Sequence, residues 1–175
     1  MTAPVTSLPL VIVASARREG DTARLVEQVL HEVPHHLLHL LDWLVLPYRY
    51  EQDYPVADHF LPLVEQILQH PALILATPVY WYSMSGPLKG LLDRFTDLIT
   101  THKQLGRQLA GKPLFVLASG SDPDLPEGFD VPFRRTAAYF NMPLVARLYS
   151  STKRPFLPEE AHQFIQQLLQ SQQSG

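Results

Sequence analysis

The chain has 175 residues, 46% of them hydrophobic, which is enough to bury one sizeable core and too few for a second. Its 14 basic residues nearly balance 17 acidic ones, and neither sign forms a run able to track a phosphate backbone or hold a lipid surface, which sets aside nucleic-acid and membrane partners. There is no cysteine, so disulfides, thiolate nucleophiles and thiolate-held metals are excluded and any redox chemistry must belong to a bound cofactor.

Residues 8–14 are a compact apolar run rich in β-branched side chains, which reads as a strand buried on both faces. The adjoining Ala14-Ser15-Ala16 imitates a signal-peptidase site, but no Lys or Arg precedes the run and Arg17-Arg18 follows it. The expectation is a cytoplasmic protein with no secretory signal. No stretch approaches the ~18 apolar residues of a membrane span. Leu25, Val26, Val29 and Leu30 then recur at helical spacing over residues 22–32, and Pro34 ends the pattern. Residues 37–41 predict a second strand, and 43–55, aromatic and Pro-bearing, an irregular segment. Leu61, Val64, Ile67 and Leu68 mark a helix. Residues 72–77 repeat the buried-strand composition, and Leu88, Leu91, Leu92, Phe95, Leu98 and Ile99 form a helical stripe from Pro87 onward. A fourth strand over 112–118, a helix over 133–140, a fifth strand over 144–148 and a closing helix over 158–170 complete the chain, with 171–175 expected to fray.

Strand and helix alternate five times, which implies parallel strands joined by right-handed crossovers with helices on both faces. The predicted architecture is a three-layer doubly wound α/β domain over residues 1–175, with a five-stranded sheet in the order 2-1-3-4-5. Its ligand crevice lies beyond the carboxyl ends of the strands, between the first and third. The loops that carry chemistry are then 15–21, 78–86 and 119–128.

The first loop reads Ser15-Ala16-Arg17-Arg18-Glu19-Gly20-Asp21-Thr22, between a strand and a helix start. Helix-start amides, the hydroxyls of Ser15 and Thr22 and the charge of Arg17 suit a terminal phosphate monoester. Neither a Walker nor a Gly-x-Gly-x-x-Gly spacing is present, which argues against a nucleoside triphosphate or a dinucleotide. The same residues also serve a plainer role, Asp21 or Thr22 capping the helix and the arginines solvated. The next loop, Thr77-Pro78-Val79-Tyr80-Trp81-Tyr82-Ser83-Met84-Ser85-Gly86-Pro87-Leu88-Lys89, carries three consecutive aromatics, too many polar-edged rings for a core. They wall a planar heterocycle, or Trp81 and Tyr82 pack against a partner subunit.

These two segments, with Asp93-Arg94, make the chain similar to the NADPH-dependent FMN reductase family of flavodoxin-like proteins, over residues 8–97 in motif and beyond that in element order. The resemblance implies FMN, with Ser15, Arg17, Asp21 and Thr22 around its phosphate. It puts Pro78, Val79, Tyr80, Trp81, Tyr82 and Ser83 along the isoalloxazine, and carries Ser119 and Gly120 over by position as the third flavin loop. It implies a hydride passed from NADPH or NADH through FMN to a small acceptor such as a quinone or free flavin, no catalytic side chain, and a homodimer. Two departures stand out: Ala14 where Gly is usual, and Asp21 where Asn is common, which brings a carboxylate beside the phosphate. An electron-carrying flavodoxin and a flavin-free interaction protein are the rival readings.

Other groupings carry less. His35, His36 and His39 lack a carboxylate at ligand spacing and suit solvated or capping roles. Lys89 and Asp93 pair at i,i+4, with Arg94 beside them in a surface or interface salt bridge. Tyr48, Tyr50 and Tyr54 either reach the crevice mouth or cover the sheet edge. No Gly-x-Ser-x-Gly elbow supports a hydrolase.

Overall fold

A computed structural model describes residues 6–173. Among them, β1 (Leu10–Val13), β2 (His36–His39), β3 (Leu73–Pro78), β4 (Leu114–Gly120) and β5 (Leu144–Ser151) form one parallel sheet in the order β2-β1-β3-β4-β5. This is the doubly wound order predicted above.

Side chains alternate across a strand, so Leu10 and Ile12 look to one face and Val11 and Val13 to the other, and all four are buried. The first face packs on α2 (Phe60–Gln69), α3 (Gly86–Arg94) and α5 (Val131–Tyr139) through Leu63, Ile67, Leu88, Leu91 and Phe133. The second packs on α1 (Asp21–Leu30) and α6 (Pro158–Gln173) through Leu25, Val29, Phe164 and Leu168. Helices after β1 and β3 therefore leave toward opposite faces, which opens a crevice between those strands at their carboxyl ends.

Several boundaries differ from the sequence reading. β4 and β5 run on to Gly120 and Ser151, because backbone pairing continues after the apolar pattern stops. β2 ends at His39 and the chain tightens into a 3-10 helix at Leu40–Asp42. The single helix expected from Pro87 to Ile99 ends at Arg94, and Phe95–Leu98 is 3-10. A short α4 (Lys103–Arg107), not expected, crosses that turn closely enough that a Cβ at Gly106 would stand 2.3 Å from the Leu98 carbonyl oxygen. α6 continues to Gln173, so 171–173 are helical where fraying was expected, and 174–175 lie outside the described residues.

The largest correction concerns Arg94. Lys89 and Asp93 do pair on the surface, at 2.5 Å, but Arg94 turns inward and is only 2% exposed. Its Nε donates to Asp97 Oδ2 at 2.8 Å, and its Nη1 donates to Asp58 Oδ2 at 2.8 Å and to the Leu46 carbonyl at 3.0 Å. Its guanidinium lies 3.5 Å from the Tyr54 ring centroid and 4.4 Å from that of Phe60. Asp58 in turn accepts the N–H groups of Leu46 and Phe60. The irregular segment after β2 is thus pinned to the end of α3 by one cation, and Tyr54 belongs to that anchor. Tyr48 and Tyr50 stack edge to face on each other, with Tyr50 left exposed.

Burial alone would raise the Asp58 carboxyl, but the bonds from Arg94, Leu46 and Phe60 and the Arg94 charge outweigh it and hold its pKa below the usual carboxylate value. Arg94→Met should therefore cost about 3–5 kcal/mol in urea denaturation, since it strands two buried carboxylates. The sign for pH follows from the lowered pKa. The stability contributed by Asp58 is complete above its unfolded value near 3.8 and is lost as pH falls through the lower folded value, so the wild-type urea midpoint should drop in that window and that of Asp58→Asn should drop less.

Candidate functional site

Three loops converge at the carboxyl ends of β1, β3 and β4, and buried hydroxyls tie them together. Thr22, in the first turn of α1, meets Ser119 at the end of β4, Oγ1 to Oγ at 2.7 Å, with both residues buried. The Ser119 carbonyl accepts the Val79 N–H at 2.7 Å. Ser85 donates its hydroxyl to the Ala14 carbonyl at 2.6 Å while its N–H donates to Thr77 Oγ1 at 3.0 Å. Ser85 also caps α3 by accepting the Leu88 N–H, with Pro87 in the first turn. The sequence reading passed over Ser85 and Thr77, although Ser-Gly-Pro ahead of an apolar stripe is a recognisable helix-start signal.

The loop after β1 brings an uncapped helix start and a cation together. Gly20 offers no side-chain cap, so the first-turn amides of Asp21, Thr22 and Ala23 have no intrahelical acceptor. Ser15 is buried and accepts the Arg17 N–H at 3.3 Å, which folds the loop back on itself. The Arg17 guanidinium lies over the helix start, its Nε and Nη2 3.6 Å from where a Gly20 Cβ would sit. Arg18 is drawn away to Asp42. Asp21, whose carboxylate could repel a phosphate, pairs instead with Arg24 one turn along α1, at 2.5 Å. Thr22 is less free than expected, since its hydroxyl is turned to Ser119. One of those two hydroxyls donates to the other, which leaves a single O–H for an incoming acceptor.

The loop after β3 begins with Pro78, buried at the strand end, and Val79, half-buried. Tyr80 and Ser83 exchange backbone hydrogen bonds at 2.9 and 3.1 Å, closing a two-residue turn on Trp81 and Tyr82. Both central residues have positive φ, 45° and 67°, where such turns ordinarily carry Asn-Gly. The left-handed geometry costs roughly 1–2 kcal/mol for each side chain. Burial does not offset it within the chain, because Trp81 is 91% and Tyr82 67% exposed. The turn is therefore strained and holds two large rings in solvent.

A hollow of about 760 Å³ between α1 and β2 is lined by Val26, Leu30 and Leu37 and meets the first loop at Arg18, Glu19 and Gly20. It lies on the opposite side of α1 from the Thr22–Ser119 contact. Of the histidines near β2, His35 and His36 keep the capping and solvent-exposed roles expected of them, and His39 departs from that expectation. His36 packs edge-on against His70 and the His39 Nδ1 is buried, while His35 bonds the Val33 carbonyl as a cap would. Among the described residues no group of three or more His, Asp or Glu side chains could hold a metal ion.

Residues 9–154 match the family model for NADPH-dependent FMN reductase. A protein of Bacillus subtilis (strain 168), YwqN, whose name describes an NAD(P)H-dependent FMN-containing oxidoreductase, is 32% identical over 119 residues. That match covers 64% of this chain and 66% of the relative, just under two thirds of its length. Among solved structures, the Trp repressor binding protein from Bacillus subtilis superposes with a TM-score of 0.66 at 25% identity, covering 94% of this chain and 96% of that one. General stress protein 14 from Treponema denticola, solved in complex with FMN, gives 0.58 at 19% identity over 94% and 95%, a likeness of fold.

The donor set fits FMN at both ends. A phosphate would meet uncapped amides and the Arg17 cation with the Asp21 carboxylate neutralised, and a flat ring would lie along the exposed aromatic turn beside the Val79–Ser119 contact. The strain in that turn has a measurable consequence. Tyr82→Gly should raise the thermal midpoint of the flavin-free protein by about 2–4 °C, as relief of about 1 kcal/mol does at this size, and should weaken flavin binding in the same sample.

Proposed function

The chain belongs to the NADPH-dependent FMN reductase family, and from that premise we propose that it holds FMN non-covalently and passes a hydride from NADPH or NADH to a small acceptor such as a quinone or free flavin. When bound, FMN supplies the two-electron centre between nicotinamide and acceptor. The observation that carries the reading is the pairing, at the carboxyl end of the sheet, of an uncapped helix start under Arg17 with a strained, solvent-facing aromatic turn.

In this reading Ser15, Arg17 and the first-turn amides of Asp21 and Thr22 hold the phosphate. Residues 78–83, with Ser119 and Gly120, hold the ring and exclude water from one side. The reading assigns no side chain of the three loops as acid or base. Their work is orientation, with backbone amides presented to the ring edge by turns that buried hydroxyls keep rigid. A cytoplasmic setting, where reduced nicotinamides are supplied, belongs to the proposal.

We extend the reading to a homodimer. Support comes from Trp81 and Tyr82, whose rings want cover, and from an apolar groove of about 270 Å³ between α3 and α5, lined by Leu92, Phe95, Ile99, Tyr139 and Phe140. Light scattering at micromolar concentration should give twice the chain mass, and Tyr139→Glu should return it to one. A monomeric wild type overturns this part alone.

The function is tested by titrating the purified protein with FMN and following NADH and NADPH oxidation with a quinone acceptor. Turnover supports the enzyme, binding without turnover would make it an electron carrier, and no FMN binding would sink both. Arg17→Ala should weaken FMN by about 10–100-fold and riboflavin by less than about threefold, because only FMN carries the phosphate. Equal losses would remove Arg17 from the phosphate site.

A further inference from the structure

Tyr149, near the carboxyl end of β5, stood out in no motif, yet the third loop is built on it. Its ring lies against Gly120 so closely that a Cβ there would stand 2.4 Å from Oη and 3.0 Å from Cε2, so only glycine leaves room. Its Oη donates to the Asp122 carbonyl at 2.7 Å, and the residue is only 9% exposed. Burial raises the phenol pKa, a hydrogen bond with Ser151 opposes this, and the charges of Asp122 and Asp124 add to it. Tyr149 therefore remains a donor throughout the neutral range. The neighbouring Thr152 N–H donates to the Gly120 carbonyl at 3.3 Å.

The end of β5 thus holds residues 120 and 122 from beneath. Ser119, one residue earlier, is the point where the other loops attach, Val79 through its carbonyl and Thr22 through its hydroxyl. Residues 120–122 follow Ser119 directly in the chain, so the hold on them is next to the point where the other two loops attach. Resting on the flavin reading above, we propose that Tyr149 is the positioning residue of the third loop, setting the 119–122 backbone and, through Ser119, the placement of the phosphate loop and the aromatic turn about the flavin ring. Packing alone would be served by phenylalanine, and the hydroxyl has a specific task in the bond to Asp122.

The test uses full-length Tyr149→Phe, Gly120→Ala and the double variant, with FMN and riboflavin titrated against each. Tyr149→Phe should weaken both ligands by the same factor, about five- to tenfold for one buried hydrogen bond, leaving their ratio as in wild type where Arg17→Ala changes it. The visible absorption maximum of bound FMN should also shift, which lost packing far from the ring would not cause. Gly120→Ala should weaken both ligands by about tenfold or more. The double variant should lose less than the product of the single losses, because the collision with Oη is gone. A readout without flavin is amide hydrogen exchange, in which Val79 should exchange faster in Tyr149→Phe while Val11 and Ile12 in β1 stay as in wild type. Unchanged affinities, strictly multiplicative losses, or unchanged Val79 exchange would overturn the role. If the wild-type chain takes no FMN, the functional reading fails and Val79 exchange still decides the role of Tyr149.

Discussion

Thr22 and Ser119 stand 97 residues apart in the chain and meet hydroxyl to hydroxyl at 2.7 Å, both buried. A hydroxyl placed there without a partner would cost about 1–3 kcal/mol, so each is committed to the other's loop. The same demand acts on Ser85, which spans from the Ala14 carbonyl at the end of β1 to Thr77 at the end of β3. Polar groups buried at the carboxyl end of the sheet have few acceptors, and here those acceptors lie on neighbouring loops. The three loops are therefore held to one another by the need to satisfy buried hydroxyls.

Charge is handled by the same logic at two depths. At the surface, Asp21 is drawn along α1 to Arg24, so the carboxylate at the helix start is paired with a cation one turn on. In the interior, Arg94 is taken out of water against Asp58 and Asp97 and under the ring of Tyr54, and such a burial is tolerable because its charge is balanced and three of its five N–H donors meet these carboxylates and the Leu46 carbonyl. That anchor lets an irregular segment with little regular structure of its own lie fixed beside the crevice. Strain is the third element. The positive φ angles at Trp81 and Tyr82 are held by the two backbone bonds between Tyr80 and Ser83 and by the rigid frame on either side.

Much of this is written in the sequence itself. Five apolar runs alternating with helical stripes determine a parallel, two-sided sheet, since a strand buried on both faces and a helix with one apolar face have few other ways to bury themselves. The order of the sheet then names the loops that can hold a ligand, and two of those loops carry residue types that match a phosphate and a flat ring. These inferences depend on local periodicity and on residue chemistry, both of which are written in the chain.

What the tertiary structure alone decided are relations between residues distant in sequence. Arg94 looks like a surface charge next to Asp93, and only folding brings Asp58 to it from 36 positions away. Thr22 looks like a free donor until Ser119 claims it, and Tyr149 is one aromatic on a strand until Gly120 proves to be the residue that makes space for it. A pattern of period two or 3.6 specifies which way a side chain faces. It carries no information on which other element will face it there, because that depends on the packing of whole layers.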